Sequence, residues 1–251
     1  MTEHSTLPHL GPVRFSRLKQ MAKCPEIYRA QFDHERPDNA AMRFGRLVHA
    51  VVLGGKVAVF DGKRAGKKWD KFELDNAGSE IALVSEFEEA SRINAKIQRH
   101  PYASAMLIGK HECEIAWMSE GRACGARLDV LGDDYVTDLK TTASAEPGWF
   151  TRNGARMGYH AQLDWYRLGA TLALGKPIEG ANFVAVETKY PYVVTTMRVP
   201  GHVLDKARGL WRKWWECLKV CEESDVWPAY AQEPVDFEPH EFGELDFGDD
   251  A

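Results

Sequence analysis

This 251-residue sequence is short of several things, and each shortage narrows the reading. No stretch nears the roughly 18 consecutive apolar residues that a bilayer-spanning helix requires. The opening Met1-Thr2-Glu3-His4-Ser5 lacks the basic-then-apolar order of a secretory signal. A soluble, cytoplasmic protein is therefore expected. Cysteine is sparse and scattered: Cys24, Cys113, Cys124, Cys217 and Cys221 form no CxxC pair. An odd, dispersed set excludes a disulfide framework and reads as reduced thiols. Cys217 and Cys221 lie four apart and face one way on a helix, but two thiolates alone make a poor metal site. No iron–sulfur cluster is expected. There are no internal repeats, which excludes a solenoid.

Basic residues are missing from one place. Residues 231–251 hold eight acids and neither Lys nor Arg, whereas the whole chain has a net charge of −5. Without that tail, 32 basic stand against 29 acidic side chains, a net of +3 for residues 1–230. A polyanionic partner would be guided by local basic clusters rather than by the total. We expect one domain over 1–230 and an acidic, flexible tail over 231–251, in which Phe237, Phe242 and Phe247 are spaced among the acids.

What is present divides into helical and strand-like periods. Residues 14–32 read as a helix, and 41–53 as a second, closed by Gly54-Gly55. Residues 56–79, rich in Lys and Gly, read as an exposed loop, and 84–99 as a third helix ending before Pro101. Strands follow at 111–118 and 122–131, joined by Ser119-Glu120-Gly121, and a third at 134–141. Helix returns over 146–175 with an interruption near Gly154–Gly158; strands at 181–189 and 192–199 and a Trp-rich helix at 201–223 complete the chain. This order predicts an α/β (α+β) fold, a central mixed sheet flanked by helices, with the tryptophans docked in the core.

The chemistry concentrates in Arg127-Leu128-Asp129 and Asp138-Leu139-Lys140-Thr141-Thr142. Side chains alternate along a strand, so Asp138 and Lys140 share one face while Leu139 enters the core. A turn at Gly132-Asp133-Asp134 brings the strands together, and Asp129 and Asp138 meet beside Lys140. Two carboxylates and the Leu139 backbone carbonyl are hard oxygen donors of the kind magnesium prefers. A lysine there stabilises charge on an attacked phosphate. Alone, an Asp-x-Lys triplet reads as an ordinary edge-strand ion pair, and a lone His49 as a core histidine.

Four segments in order alter that reading: Ser16-Arg17-Leu18-Lys19 through Cys24-Pro25-Glu26-Ile27-Tyr28; Arg43-Phe44-Gly45-Arg46-Leu47-Val48-His49-Ala50; Glu112 past Trp117 to Asp129 and the Asp138–Thr142 run; and Gly158-Tyr159-His160-Ala161-Gln162 with Tyr166. Across residues 14–170 they resemble the PD-(D/E)xK nuclease superfamily, and within it the RecE-like phage exonucleases, with a restriction-endonuclease-like core. The resemblance implies that Asp129 and Asp138 bind metal, that Lys140 is catalytic and that His49 lines the metal site. Of the acids on the preceding strand, Glu112 is favoured over Glu114. Gln162 and Tyr166, one turn apart, with His160, would contact the DNA backbone, and Arg152, Arg156 and Lys189 are candidate phosphate contacts.

The resemblance further implies Mg2+ (with Mn2+ as a substitute), 5′-to-3′ digestion of linear double-stranded DNA in a bacterial host cell, a ring-shaped homo-oligomer and a single-strand annealing protein as partner. Two alternatives accompany it: a structure-specific endonuclease or Cas4-like nuclease of the same fold, and a non-catalytic DNA-binding or scaffold protein.

Overall fold

The computed structural model describes residues 11–33, 38–231 and 233–236; the Phe-containing acidic tail, from residue 237 onward, lies outside them. Its frame is a five-stranded mixed sheet built from β3 (Lys110–Ser119), β4 (Arg122–Leu131), β5 (Tyr135–Thr142), β6 (Gly180–Glu187) and β7 (Val194–Arg198). The strands lie side by side in sequence order. β5 and β6 run parallel and the other neighbours antiparallel. The parallel step needs a crossover, supplied by α7 (Pro147–Met157) and α8 (Tyr159–Leu174), which break at Gly158. The β3–β4 hairpin turns as expected, with Glu120 and Gly121 at φ of 48° and 78°.

Helices cover both faces. On one, α8 and α9 (Gly201–Ser224) pack over Leu128, Val136 and Phe183. Trp165 meets Trp211 and Trp215 there at 5.2 and 5.9 Å between ring centroids. The tryptophans of the last helix are thus core anchors, as expected. Two features bind α8 to its neighbours. A side chain at Gly169 would lie 2.5 Å from the Trp117 ring, so only glycine permits this approach to β3. Asp164, wholly buried, accepts hydrogen bonds from Arg167, Arg208 and Trp211 at 2.8–3.2 Å. That set of donors offsets the cost of burying the charge.

On the other face, α3 (Ala40–Leu53) and α5 (Val84–Arg99) bury Leu47, Val48, Ile93 and Ile97 against Val130, Leu139 and Val184. Asn39 caps α3 by accepting the Met42 N–H at 2.9 Å. The helix closes, as its sequence predicts, at Gly54, with φ of 77°.

Two expectations are corrected. Residues 14–32 are not one helix: α1 (Phe15–Leu18) passes into a 3-10 turn (Lys19–Ala22) and then α2 (Pro25–Ala30). Pro25 has no N–H to give and drives Cys24 into extended backbone, φ −161°. Residues 56–79 are not a bare loop, since β1 (Val57–Phe60) pairs in parallel with β2 (Glu80–Leu83) around α4 (Lys67–Asp75). Phe60 meets Trp69 edge-on and Phe72 at a tilt, with ring centroids 5.3 and 5.0 Å apart, and Arg64 joins the insert to α5 through Glu86 at 2.6 Å. The third helix ends at Arg99 as expected, and α6 (Pro101–Met106) follows it at once, with Pro101 at its first position. No helix among the described residues is long and apolar enough to cross a membrane.

Candidate active site

The site occupies a defect in the sheet. β4 and β5 share only two rungs, Val130 with Thr137 and Leu131 with Val136. Beyond them the strands part. Along β4 the alternation slips: Ala126 and Leu128 belong to one core, Val130 to the other, and Asp129 falls at the slip. Its carboxylate takes over where the ladder fails. Oδ2 accepts the Leu139 N–H at 2.8 Å, and Oδ1 lies 3.5 Å from His49 Nδ1 on α3.

Opposite Asp129, on β3, stands Glu112. The register skips it, from the His111–Val130 pair to the Cys113–Leu128 pair, and its φ is +50°. A non-glycine residue in that region is strained, and such strain concentrates at functional positions. Arg127 holds the Glu112 carboxylate in an ion pair. Among the described residues, His49, Glu112 and Asp129 form the one His/Cys/Asp/Glu group whose donor atoms all lie within 4.8 Å of one another. Two carboxylate oxygens and an imidazole nitrogen suit a small divalent cation. Glu114, the alternative acid, instead pairs with Arg14 at 3.1 Å.

Asp138 and Lys140 face α8, as strand alternation predicts, with Leu139 in the opposite core. Lys140 Nζ lies 2.6 Å from Asp138 Oδ2, donates to Gln162 Oε1 at 3.1 Å and sits 4.7 Å from the centre of the Tyr159 ring. Gln162 in turn donates to the Tyr166 hydroxyl at 2.7 Å. Asp138 thus belongs with the lysine, one step removed from the three-donor group.

These charges influence one another across the gap. Burial, helped by the Asp129 charge and opposed by Lys140, pushes the Asp138 carboxyl up to about 6. Burial alone would raise Asp129 and lower His49. Their mutual attraction reverses both, leaving Asp129 below and His49 above its ordinary range. Burial would likewise weaken the Lys140 ammonium, but Asp138 and Asp129 hold it charged.

A cleft of about 1000 Å³ opens over the three donors, walled by Phe44, Arg46, Lys56 and Thr142. Of the expected pair, Gln162 reaches the lysine directly and Tyr166 through Gln162. Arg152, Arg156 and Lys189 are exposed and lie outside this cleft. His160 also lies elsewhere, in a smaller pocket on the α8 side. Sequence reasoning missed Tyr159 over the lysine, although it precedes Gln162 by three residues on one helix. It also missed Arg127 as the partner of Glu112, although alternation puts Arg127 on the Asp129 face.

Residues 14–237 match the model of a family described as a PDDEXK-like domain of unknown function (DUF3799). Among curated proteins, none matches the chain. Among solved structures, a candidate exonuclease from Eubacterium rectale is 16% identical, covering 99% of this chain and 98% of its own, with a TM-score of 0.69. That likeness establishes a shared fold. An alkaline exonuclease from Laribacter hongkongensis, 14% identical over 89% of this chain and 95% of its own, aligns with a TM-score of 0.36.

Proposed function

The chain belongs to this PDDEXK-like family, and from that premise we propose that it is a magnesium-dependent exonuclease acting on linear double-stranded DNA. The observation that carries the reading is the convergence of His49, Glu112 and Asp129 in the cleft, beside the Asp138–Lys140 pair.

His49, Glu112 and Asp129 would hold the cation, with Asp138 and the Leu139 carbonyl as further oxygen donors. A divalent ion there supplies positive charge that offsets the anionic phosphodiester and acidifies nearby water. Asp129 is aligned for this by its bond to the Leu139 amide, and Glu112 by Arg127. Lys140 carries its charge toward the phosphate in a site of low water content, where each charge counts for more. Asp138 and Gln162 fix the ammonium, and Tyr166 fixes Gln162. Mn2+ would substitute, since it accepts the same oxygen and imidazole donors. A ring-shaped oligomer, 5′-to-3′ polarity and an annealing-protein partner in phage recombination belong to the same reading, on the resemblance alone.

Digestion of end-labelled linear and closed circular duplexes, with Mg2+ and with EDTA, tests the proposal. Metal-dependent loss of linear DNA from its ends, with circles intact, is expected. Cutting of circles would make the enzyme an endonuclease, and binding without cutting would make it a DNA-binding protein.

A further inference from the structure

A second pocket, about 380 Å³, opens on the α8 side of the sheet. Its floor is a triangle of aromatic rings: Phe150, Tyr159 and Phe183, with centroids 5.7–6.2 Å apart. His160 adds an imidazole whose Nδ1 is buried without a hydrogen-bond partner among the described residues. Arg198 and Lys206, both exposed, stand at the rim, and no carboxylate among the described residues lines the pocket.

An aromatic floor, one buried polar atom seeking a partner and a cationic rim make up the chemistry that recognises a nucleotide: a flat base to stack, an edge to bond and a phosphate to neutralise. The pocket's position adds the second argument. Tyr159 lines it, and over that same ring, 4.7 Å from its centre, lies the ammonium of Lys140. The pocket is therefore separated from the candidate catalytic lysine by a single side chain.

We propose that this pocket seats one unstacked nucleobase of the DNA strand being processed, with the adjoining phosphate on Arg198 and Lys206. The proposal rests on the nuclease reading and extends it: a strand end held here is kept apart from its complement next to Lys140. Burial lowers the His160 pKa and so favours the neutral imidazole, which has one donor and one acceptor for a base edge.

The test is photocrosslinking of duplexes carrying 5-iododeoxyuridine at single positions near one strand end. Calcium replaces magnesium to slow hydrolysis, and adducts are mapped by mass spectrometry. One labelled position should yield adducts on Tyr159, His160 or Met197, which line the pocket. Ala155→Trp, at an exposed position on α7 at the pocket wall, should fill the space, remove the adduct and weaken binding roughly 10-fold, the scale of one lost base–aromatic stack. Arg198→Ala with Lys206→Ala, which leaves the aromatic floor intact, should lower the salt dependence of binding by one to two phosphate contacts, a slope change of about 1–2.

If wild-type protein cuts DNA but gives no adduct in the pocket, the pocket assignment falls and the nuclease reading stands. If Ala155→Trp crosslinks and binds like wild type, the assignment falls likewise. If its only effect is to convert an oligomer to monomers, the pocket is an interface between copies. Failure of the wild-type chain to bind DNA at all overturns both readings.

Discussion

Replacing Lys140 by methionine should do more than stop catalysis, because the lysine is one half of a buried pair. Asp138 is 2% exposed and its carboxylate lies 2.6 Å from Nζ. Methionine keeps most of the stem volume and removes the charge, leaving the carboxylate unmatched. Breaking a buried pair in this way costs roughly 3–5 kcal/mol. In a chain of this size each kcal/mol moves Tm by about 2–4 °C, so Lys140→Met should melt about 6–20 °C below wild type at pH 8 in EDTA.

The pH dependence supplies the sharper check. Asp138 already sits at about 6 with the ammonium present, above its ordinary 3.8, and goes higher without it. A group whose folded pKa exceeds its unfolded value has its full stabilising effect below the unfolded pKa and loses it as pH rises through the folded one. The deficit of Lys140→Met should therefore be small near pH 5, where Asp138 holds a proton, and grow toward pH 8. Adding Asp138→Asn should recover most of the lost stability but none of the activity. Urea unfolding at several pH values, followed by circular dichroism, measures all three. A single variant as stable as wild type at pH 8, or a deficit that does not change with pH, would refute the argument.

Other outcomes follow from the site. Asp129→Asn, which keeps an oxygen for the Leu139 amide, should lose metal-dependent cleavage with little loss of stability, whereas Asp129→Ala should also cost about 1–3 kcal/mol for the orphaned amide; paired melts and cleavage assays separate the two. Glu112→Gln should weaken metal binding at least 10-fold by calorimetry while Glu114→Gln leaves it unchanged, since only Glu112 stands with His49 and Asp129. Calcium should support DNA binding in a gel-shift assay without efficient cleavage, because it accepts looser geometry; brisk turnover in calcium would count against the mechanism. Asp164→Ala should lower Tm by several degrees by stranding Arg167, Arg208 and the Trp211 N–H, measured calorimetrically.

The parts of this molecule legible in the sequence are those where one periodicity governs many residues. The hairpin of β3 and β4, the lysine strand β5 and the long final helix each carry enough repeats of their pattern to declare themselves. The first helix was overread because Pro25 interrupts a run whose apolar spacing continues across it. The insert over 57–83 was hidden for the opposite reason. Its polar surface masks Phe60, Trp69 and Phe72, which are half-buried in contact with one another and, at Trp69, with Arg64. In the site, alternation along one strand placed Asp138 and Lys140 correctly. The slip on β4 was not legible, because it depends on where β5 diverges, a property of two strands. That His160 lines a pocket with Phe150 and Phe183 was not legible either, because those rings come from other elements.

The unfinished ladder between β4 and β5 bears on which ion this site admits. One oxygen of Asp129 is committed to a backbone amide as a surrogate rung, leaving the other to face His49 at 3.5 Å. Such a carboxylate is tethered into single-point denticity. Large cations that favour chelation by both oxygens forfeit that option here, while a small octahedral ion asks for one oxygen per ligand. A device that mends a gap in the backbone would thereby favour a small ion for catalysis while leaving calcium a looser, catalytically poor seat.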